Sequence, residues 1–530
     1  MALKPAHSSV LADLVTDGIR IEPLYTETPK IPLDREISSG PFRICTRAPN
    51  ATEASADLSG GAEALWTSPG AALALDPKHL ASTFFIFDGG LETFDVIAEL
   101  ASKSEDGNFA FALNFDPVNT GADLRTYAER AHAFAERFPN GCATTISTLP
   151  YHDAGADMAD EIAITLASGV AILDSFVEAG LSPNDGASQI SLQIAIGRDT
   201  FLELAKIRAL RVCWKKFLAA SGAAAHVKTA VHAVCSSRTM TVRDPWVNML
   251  RVTTQLFAGI LGGADFVTPN AFDQAFGVTS DLGRRMARNT GLVLRDESFL
   301  GKVKDPAGGS YYLETVTDAL AREAWRRFQK IEEEGGVVAL LHGGALMAQL
   351  NEKWRVRLTQ IAKRKVAILG VSEFANLDEK LPHPAPHALE NLVAHRDSEA
   401  FELLRERADR LKSPPEAILV ALGALAESRP RVGFSSGFLA AGGIRSREVA
   451  AVDIAPLAIV CGTDERYATE AVEKVRALKS VGCKIVLLAG RPGALEADLK
   501  TAGADGFIFV GCDVVSTVND LLSAFERGAT

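Results

Sequence analysis

Short apolar runs alternate with longer segments of helical periodicity through most of the first 300 residues. The apolar runs have the length of strands buried on both faces, and the segments between them carry apolar residues at helical spacing. The predicted strands are Thr83–Phe87, Asn108–Phe115, Ala143–Leu149, Gln189–Ile196 and Val227–Val234. The predicted helices include Ala122–Arg137, Met158–Ala179, Thr200–Ala220 and Asp244–Leu261. Repeated βα units with short connections predict a (β/α)8 TIM barrel over residues 61–365. A doubly wound open sheet is the alternative, because periodicity alone does not show closure.

A second alternation begins near residue 415 and extends to residue 530. Its predicted strands are Ala417–Leu422, Leu457–Cys461, Lys484–Ala489 and Gly506–Val510. This pattern predicts a small flavodoxin-like parallel sheet as a C-terminal domain. The proline-rich stretch Leu381–His387 is incompatible with a helix, so residues 366–414 are predicted to be a linker with one helix. Residues 1–60 are rich in Pro, Thr and Ser and are predicted to form an extended N-terminal arm.

Composition narrows the classes of function. The chain has 530 residues, 47% of them apolar, and a formal charge of −11, which argues against nucleic acid as the main partner. No run of about 18 apolar residues is present, so no membrane span is expected. The seven cysteines are scattered and form no C-x-x-C pair, which is typical of reduced thiols in a cytoplasmic protein. The first residues lack the pattern of a secretory signal.

Several long blocks resemble a known family. The segment from Asp244 reads DPWVNMLRVTTQLFAGILGGADFVTPNAFDQAFG, and RRMARNTGLVLRDES and KVKDPAGGSYYLE follow it in order. Upstream lies YHDAGADMADEIAITLASGV, from Tyr151. Together these blocks resemble the adenosylcobalamin-dependent acyl-CoA mutases, specifically the methylmalonyl-CoA mutase family. The resemblance implies a barrel that binds acyl-CoA through its bore and a C-terminal domain that carries cobalamin. It also implies radical interconversion of methylmalonyl-CoA and succinyl-CoA.

The C-terminal domain departs from the active members at the cobalt ligand. Those members carry a DxHxxG loop after the first strand of this domain, and its His binds cobalt. Here the corresponding segment, Gly423–Arg431, contains neither Asp nor His, and no His follows His395. We therefore expect no cofactor-binding and no metal-binding residue on this chain. The resemblance then implies that a large subunit carries the adenosylcobalamin of the complex.

The substrate site departs as well. The segment that resembles RQYAGFST of active members has lost its Tyr, and Asp265 and Thr268 stand where those members have Gln and His. Tyr151, His152 and His232 match residues of the family's substrate site. Because so many partners are missing, these three are interpreted as vestigial, and no catalytic residue is expected. The alternative is that the Tyr–His pair is retained as an acid or hydrogen-bond donor.

Aromatic residues on two predicted strands bear on the bore. Phe85 and Phe87 share one face of their strand, and Phe109, Phe111 and Phe115 share a face of the next. If these faces point inward, the rings plug the channel that an acyl-CoA arm would need. The alternative is that the rings face the surrounding helices, which leaves the bore undetermined.

With these departures, the chain resembles one subset of the family, the small (β) subunits of heterodimeric methylmalonyl-CoA mutases. The stretches GGAEALW, GVSEFANLDEKLP and FELLRERAD are also similar to that subset. The implied role is non-catalytic support of a large subunit in a cytoplasmic heterodimer. Two alternatives remain at this stage: a self-sufficient cobalamin-dependent acyl-CoA mutase, and a regulatory binder of a mutase.

Overall fold

The chain divides into two compact units. The computed structural model describes residues 14–16, 18–29, 41–104, 110–224, 226–382, 394–449 and 451–528. The barrel unit lies within residues 1–239, 249–274 and 278–354, and the C-terminal unit within residues 240–248, 275–277 and 355–530. An antiparallel hairpin of β1 (Leu14–Thr16) and β2 (Ile19–Ile21) precedes the barrel.

A closed parallel sheet forms the centre of the barrel unit. Its strands are β3 (Arg43–Arg47), β4 (Ala64–Thr67), β5 (Phe84–Asp88), β6 (Phe111–Asn114), β7 (Gly141–Cys142), β8 (Thr144–Ser147), β9 (Ile190–Ile196), β10 (Val231–Cys235) and β11 (Phe266–Thr268). First and last strands pair, β3 with β11. The segments β7 and β8 are two halves of one strand interrupted at Ala143, because β7 pairs with β6 and β8 with β9. The amide of Thr145 donates to the Phe115 carbonyl at 3.1 Å and closes the ring. Eight strand positions result, which confirms the predicted (β/α)8 barrel.

Helices surround this sheet. They are α1 (Ala51–Ser59), α2 (Pro69–Leu73), α3 (Lys78–Ser82), α4 (Phe94–Lys103), α5 (Leu124–Arg137), α6 (Leu149–Asp153), α7 (Met158–Glu178), α8 (Pro183–Ser188), α9 (Thr200–Ala220), α10 (Val247–Gly262), α11 (Asp281–Leu292), α12 (Tyr311–Glu333), α13 (Gly336–His342) and α14 (Ala345–Ala362). Side-chain caps start several of them. Asp199 accepts from the amide of Leu202 at the start of α9, and Asp157 and Asp160 form a capping box at α7. The predicted start of α10 at Asp244 was wrong, because the backbone there is left-handed (φ 47°).

The boundary at residue 60 was also wrong. Both β3 and α1 lie inside the segment predicted as an extended arm, and β3 is the first barrel strand. Sequence periodicity missed β3 because charged residues, Arg43 and Arg47, end a strand of only five residues. Its buried positions, Ile44 to Thr46, are too few to stand out as an apolar run.

The C-terminal unit contains a five-stranded parallel sheet. Its strands are β12 (Glu416–Ala421), β13 (Arg445–Val449), β14 (Leu457–Cys461), β15 (Ile485–Ala489) and β16 (Gly506–Ile508), in the order β13-β12-β14-β15-β16. This is the flavodoxin-like order, as predicted. The sequence missed β13, an edge strand whose residues RSREV are partly or fully exposed. The helices are α15 (Glu399–Asp409), α16 (Leu425–Ala440), α17 (Asp464–Arg466), α18 (Val472–Ser480), α19 (Glu496–Thr501) and α20 (Val514–Gly528). None of the helices in the described residues is long and apolar enough to cross a bilayer.

Candidate functional site

The short helix α6 places two of the predicted site residues at the mouth of the barrel, the end where the strands have their carboxyl termini. It follows β8 directly and carries Tyr151 and His152. Ligand sites of (β/α)8 barrels lie at this end. Both side chains are nonetheless buried, with Tyr151 3% and His152 1% exposed. They therefore do not line an open surface.

His152 lies at the centre of a buried hydrogen-bond relay. Its Nδ1 donates to Oε1 of Glu161 at 2.9 Å. Its Nε2 accepts from the hydroxyl of Ser236, at the end of β10, at 2.7 Å. Burial, together with the nearby charge of Arg238, lowers the pKa of His152, so the imidazole is neutral at neutral pH.

A buried lysine anchors this relay. Lys206 on α9 is fully buried, and its Nζ lies 3.0 Å from Glu161 Oε1 and 2.7 Å from Glu203 Oε2. Burial alone would raise the pKa of Glu161, but the charge of Lys206 and the hydrogen bond from His152 hold it down at about 2. The same carboxylates raise the pKa of Lys206 against the opposing effect of burial. The site thus holds a fixed ion pair beneath the histidine.

The order Ser236–His152–Glu161 is that of a nucleophile, base and carboxylate. Catalysis by such a relay requires that a substrate reach the hydroxyl. Ser236 is only 1% exposed, and Arg238 donates to the backbone carbonyl of His152 at 2.6 Å, which covers the relay further. The arrangement therefore orders the ends of β8 and β10 rather than presenting a nucleophile.

Tyr151 lies apart from the relay. Its hydroxyl is buried and has no hydrogen-bond partner within the described chain. Burial and the nearby Asp116 raise the pKa of this phenol. Asp116 itself accepts three backbone amides, yet burial raises its pKa to about 6. The Tyr151 phenol therefore stays protonated and neutral at physiological pH.

The third predicted residue, His232, faces the interior of the barrel. Its Nδ1 accepts from the Gln193 amide at 3.1 Å, and its Nε2 donates to the Thr268 hydroxyl at 2.7 Å. Ser147 donates to the Gln193 side-chain oxygen at 2.7 Å, so the network joins four strands, from β8 to β11. Burial lowers the pKa of His232 to about 3. His232 is therefore a neutral linking residue and belongs to a different network from His152.

Aromatic rings cross the interior of the barrel in two layers. The ring centroids of Phe84 on β5 and Phe266 on β11 are 4.3 Å apart, although β4 and β3 separate these strands in the sheet. Trp66 of β4 lies 5.6 Å from His232 of β10, across β3 and β11. Contacts between strands that are not neighbours must pass through the lumen. These rings occupy the path along which an acyl-CoA arm would pass.

The phenylalanines predicted to plug the bore do not do so. Phe111 contacts Phe134 on α5 at 5.8 Å, and Phe115 stacks on Tyr127 of the same helix at 5.2 Å. Phe87 packs on Phe111 at 5.8 Å and on Phe85 on the same face of β5. This face points to the helices, so the alternative was correct for these residues. Phe109 lies outside the described residues.

Three polar residues stand at the mouth near the aromatic layer. The guanidinium of Arg47 lies 4.0 Å from the centroid of the Trp66 ring. The Trp66 indole donates to Asp88 at 2.5 Å, and Asn114 donates to the same carboxylate oxygen at 3.0 Å. These contacts hold the Trp66 ring across the lumen. Sequence reasoning missed Arg47, Asp88 and Asn114, because each is an ordinary polar residue at a strand end.

Asp265, compared above with a Gln of active members, lies at the opposite end of the barrel. It precedes β11, accepts from the Val231 amide at 2.8 Å and pairs with Arg211 at 2.8 Å. Its carboxylate therefore closes the floor of the barrel and is no part of the mouth.

Sequence reasoning missed Glu161, Glu203 and Lys206, which form the buried ion cluster. A signal was present in FLELAKIRAL, where Glu203 and Lys206, of opposite charge and three residues apart, interrupt a mainly apolar helix. Helical spacing places such residues on one face, where they can share a partner.

The C-terminal unit does not present an open crevice for cobalamin. In an open α/β sheet, ligands bind outside the carboxyl ends of the strands at the point where strand order reverses, which here lies between β12 and β14. Arg431 reaches over this point, donates to the Gly462 carbonyl at 2.6 Å and stacks on Tyr467 at 4.6 Å. The Tyr467 hydroxyl donates to the Ala489 carbonyl at 2.7 Å.

Side chains also close the carboxyl edge of this sheet. A Cβ on Gly490 would lie 3.0 Å from the Arg431 guanidinium carbon. Arg466 on α17 pairs with Glu427 on α16 at 2.9 Å and joins the two helices that follow β14 and β12. No imidazole is available, since no His follows His395. These residues do not fit a protein-ligated cobalt. Elsewhere in the described chain, no cluster of three or more His, Cys, Asp or Glu is arranged to hold a metal ion.

Comparisons with known proteins agree on one family. The family model described as methylmalonyl-CoA mutase matches residues 116–437. A methylmalonyl-CoA mutase small subunit from Streptomyces virginiae is 34% identical over 98% of this chain and 92% of its own length. A probable methylmalonyl-CoA mutase small subunit from Mycobacterium bovis is 39% identical over 72% of this chain and 64% of its own. The small subunit from Propionibacterium freudenreichii subsp. shermanii is 34% identical over 78% and 69%.

Proposed function

This chain belongs to the methylmalonyl-CoA mutase family, and we propose that it is the non-catalytic small subunit of a heterodimeric mutase. The relatives that match most of its length are themselves called small subunits. In this role the chain supports a large subunit that interconverts (R)-methylmalonyl-CoA and succinyl-CoA. It acts in the cytoplasm, where its seven thiols, none of them in a disulfide, remain reduced.

The observation that carries the proposal is the occupied lumen. Ring contacts between Phe84 and Phe266, and between Trp66 and His232, span the interior of the barrel. Passage of an acyl-CoA arm would require these rings to leave packed positions and would break the bonds of His232 to Gln193 and Thr268. Loss of such buried contacts and hydrogen bonds is costly, so the barrel favours its closed state.

The cofactor belongs on the large subunit in this account. The crevice of the C-terminal unit is closed by Arg431 and Tyr467 and has no histidine. Adenosylcobalamin supplies the radical chemistry when it is bound to the catalytic subunit. The present chain contributes a stable partner surface and takes no part in bond making or breaking.

Co-expression with a family member that carries the DxHxxG loop tests the proposal. We expect a 1:1 complex on gel filtration, and mutase activity that requires the larger chain. The isolated chain, supplied with adenosylcobalamin and methylmalonyl-CoA, is expected to be inactive. Turnover by the isolated chain would establish a self-sufficient mutase instead. Binding to an already complete mutase, without a stable 1:1 complex, would establish a regulatory binder.

A further inference from the structure

A partly open cavity of about 120 Å³ lies in the barrel unit, away from the mouth. It is enclosed by α9, the loop that follows this helix, and strands β9 and β10. Its walls are mainly apolar, with Leu192, Trp214, Leu218 and Val231 among the lining residues. Each of these four side chains is less than 7% exposed, so they form the inner wall of the cavity. Ala219 is exposed and Lys215 is half-buried, and they lie at its opening to solvent.

The polar groups on the inner wall are already paired with each other. The Trp214 indole donates to the Thr229 hydroxyl at 2.9 Å. A buried water needs two to four polar partners, and apolar cavities of roughly this size stay dry and admit small apolar molecules. The inner part of the cavity therefore suits an apolar group of about six heavy atoms better than it suits water.

Positive charge stands on one side of the same cavity. Lys215 and Arg211, both on α9, line it together with the apolar residues. Arg211 donates to the Gly263 carbonyl at 2.6 Å and pairs with Asp265 at 2.8 Å, so its position is fixed. Lys215 is only partly buried and carries a flexible side chain. An apolar space beside an ammonium group matches a molecule with an alkyl chain and one negative charge.

We propose that this cavity binds a short-chain monocarboxylate, with the alkyl chain against Trp214 and Leu218 and the carboxylate toward Lys215. The volume limits the chain to about four or five carbons. This site is independent of the proposed subunit role, because it involves neither the lumen nor the C-terminal unit.

Titration of the full chain with sodium pentanoate, followed by ligand-observed NMR and by tryptophan fluorescence, tests the site. We expect saturable binding of pentanoate, weaker binding of 1-pentanol and none of acetate. Ala223→Leu and Ala219→Leu each place a larger side chain in the cavity and are expected to abolish binding. Two filling variants are used so that failure of one to fold does not decide the result.

The charge is tested separately. Lys215→Met removes the ammonium group and is expected to weaken pentanoate binding about tenfold or more, the loss typical of a charge-assisted contact. It is expected to leave 1-pentanol binding unchanged. Lys216→Met, one residue along the same helix and outside the cavity, is the matched control. The proposal is overturned if pentanoate does not bind, if both filling variants still bind it, or if 1-pentanol binds the unmodified chain as tightly as pentanoate.

Discussion

Replacement of Lys206 by Met tests the buried ion cluster most sharply. Lys206 is fully buried and lies within 3.0 Å of both Glu161 and Glu203. Met has a similar volume, so the variant removes charge and leaves little empty space. Removing one partner of a buried ion pair leaves an uncompensated charge and costs about 3–5 kcal/mol. That is a large part of the stability of an ordinary domain, which is about 5–15 kcal/mol.

The pH dependence identifies the cause. In the unmodified chain the pKa of Glu161 is held at about 2, below its ordinary value of 4.5. Its contribution to stability is therefore complete above about pH 4.5 and is lost as the pH falls toward 2. In Lys206→Met the ammonium charge no longer offsets burial, so the pKa of Glu161 rises and its protonation relieves the cost. The difference in the free energy of unfolding between the variant and the unmodified chain is then expected to shrink as the pH falls from 8 to 5.

Urea unfolding of both proteins at several pH values, followed by tryptophan fluorescence, gives the free energies. Lys206→Met with Glu161→Gln should recover part of the loss, because one unpaired charge is gone. Lys216→Met is the surface control and should change stability by no more than about 1 kcal/mol, the size of its contact with Trp325. A loss below about 1 kcal/mol at pH 8, or a loss that does not vary with pH, would refute the account of this cluster.

Three further predictions concern the lumen, the helical shell and the C-terminal sheet. The pKa of His232 is lowered to about 3, so the folded state loses stability as the pH falls from about 6.5 to 3. In acid unfolding, His232→Gln should therefore make the free energy of unfolding fall less steeply over this range. An unchanged profile would contradict the burial of a neutral His232. Phe111→Ala should lower the free energy of unfolding in urea by about 3–5 kcal/mol, since the ring is 1% exposed and packs on α5; a loss under about 1 kcal/mol would place the ring elsewhere. Gly490→Ala should lower the free energy of unfolding by about 1–3 kcal/mol, measured by thermal unfolding. The reason is that φ at this residue is 139° and the new Cβ would lie 3.0 Å from the Arg431 guanidinium. Unchanged stability would mean that the carboxyl edge of the C-terminal sheet is open.

The barrel and its order of elements were predictable because parallel strands buried on both faces leave continuous apolar runs. Residues 190–196 are buried at every position, and the predicted strand Gln189–Ile196 differs from β9 by one residue. The strands that were missed, β3 and β11 above all, are short and carry or adjoin charged residues. Their place is fixed by closure of the ring, which is a property of the whole sheet and leaves no local pattern.

The site was predictable only in part. The resemblance identified Tyr151, His152 and His232, and their positions on α6 and β10 follow from the order of strands. It did not indicate that His152 and His232 belong to different networks. Nor did alternation along β5 tell which face points inward, since the faces of Phe84 and Phe85 are both aromatic. That choice depends on ring contacts with β11 and α5, which are remote in sequence.

The most direct test of the central claim is whether the isolated full chain binds adenosylcobalamin. The purified chain is equilibrated with the cofactor, separated by gel filtration and examined by its visible spectrum, with a DxHxxG-containing large subunit as the positive control. We expect the cofactor to elute apart from this chain and together with the control protein. Cofactor that co-elutes in stoichiometric amount with the isolated chain, and changes its spectrum on binding, would contradict the account.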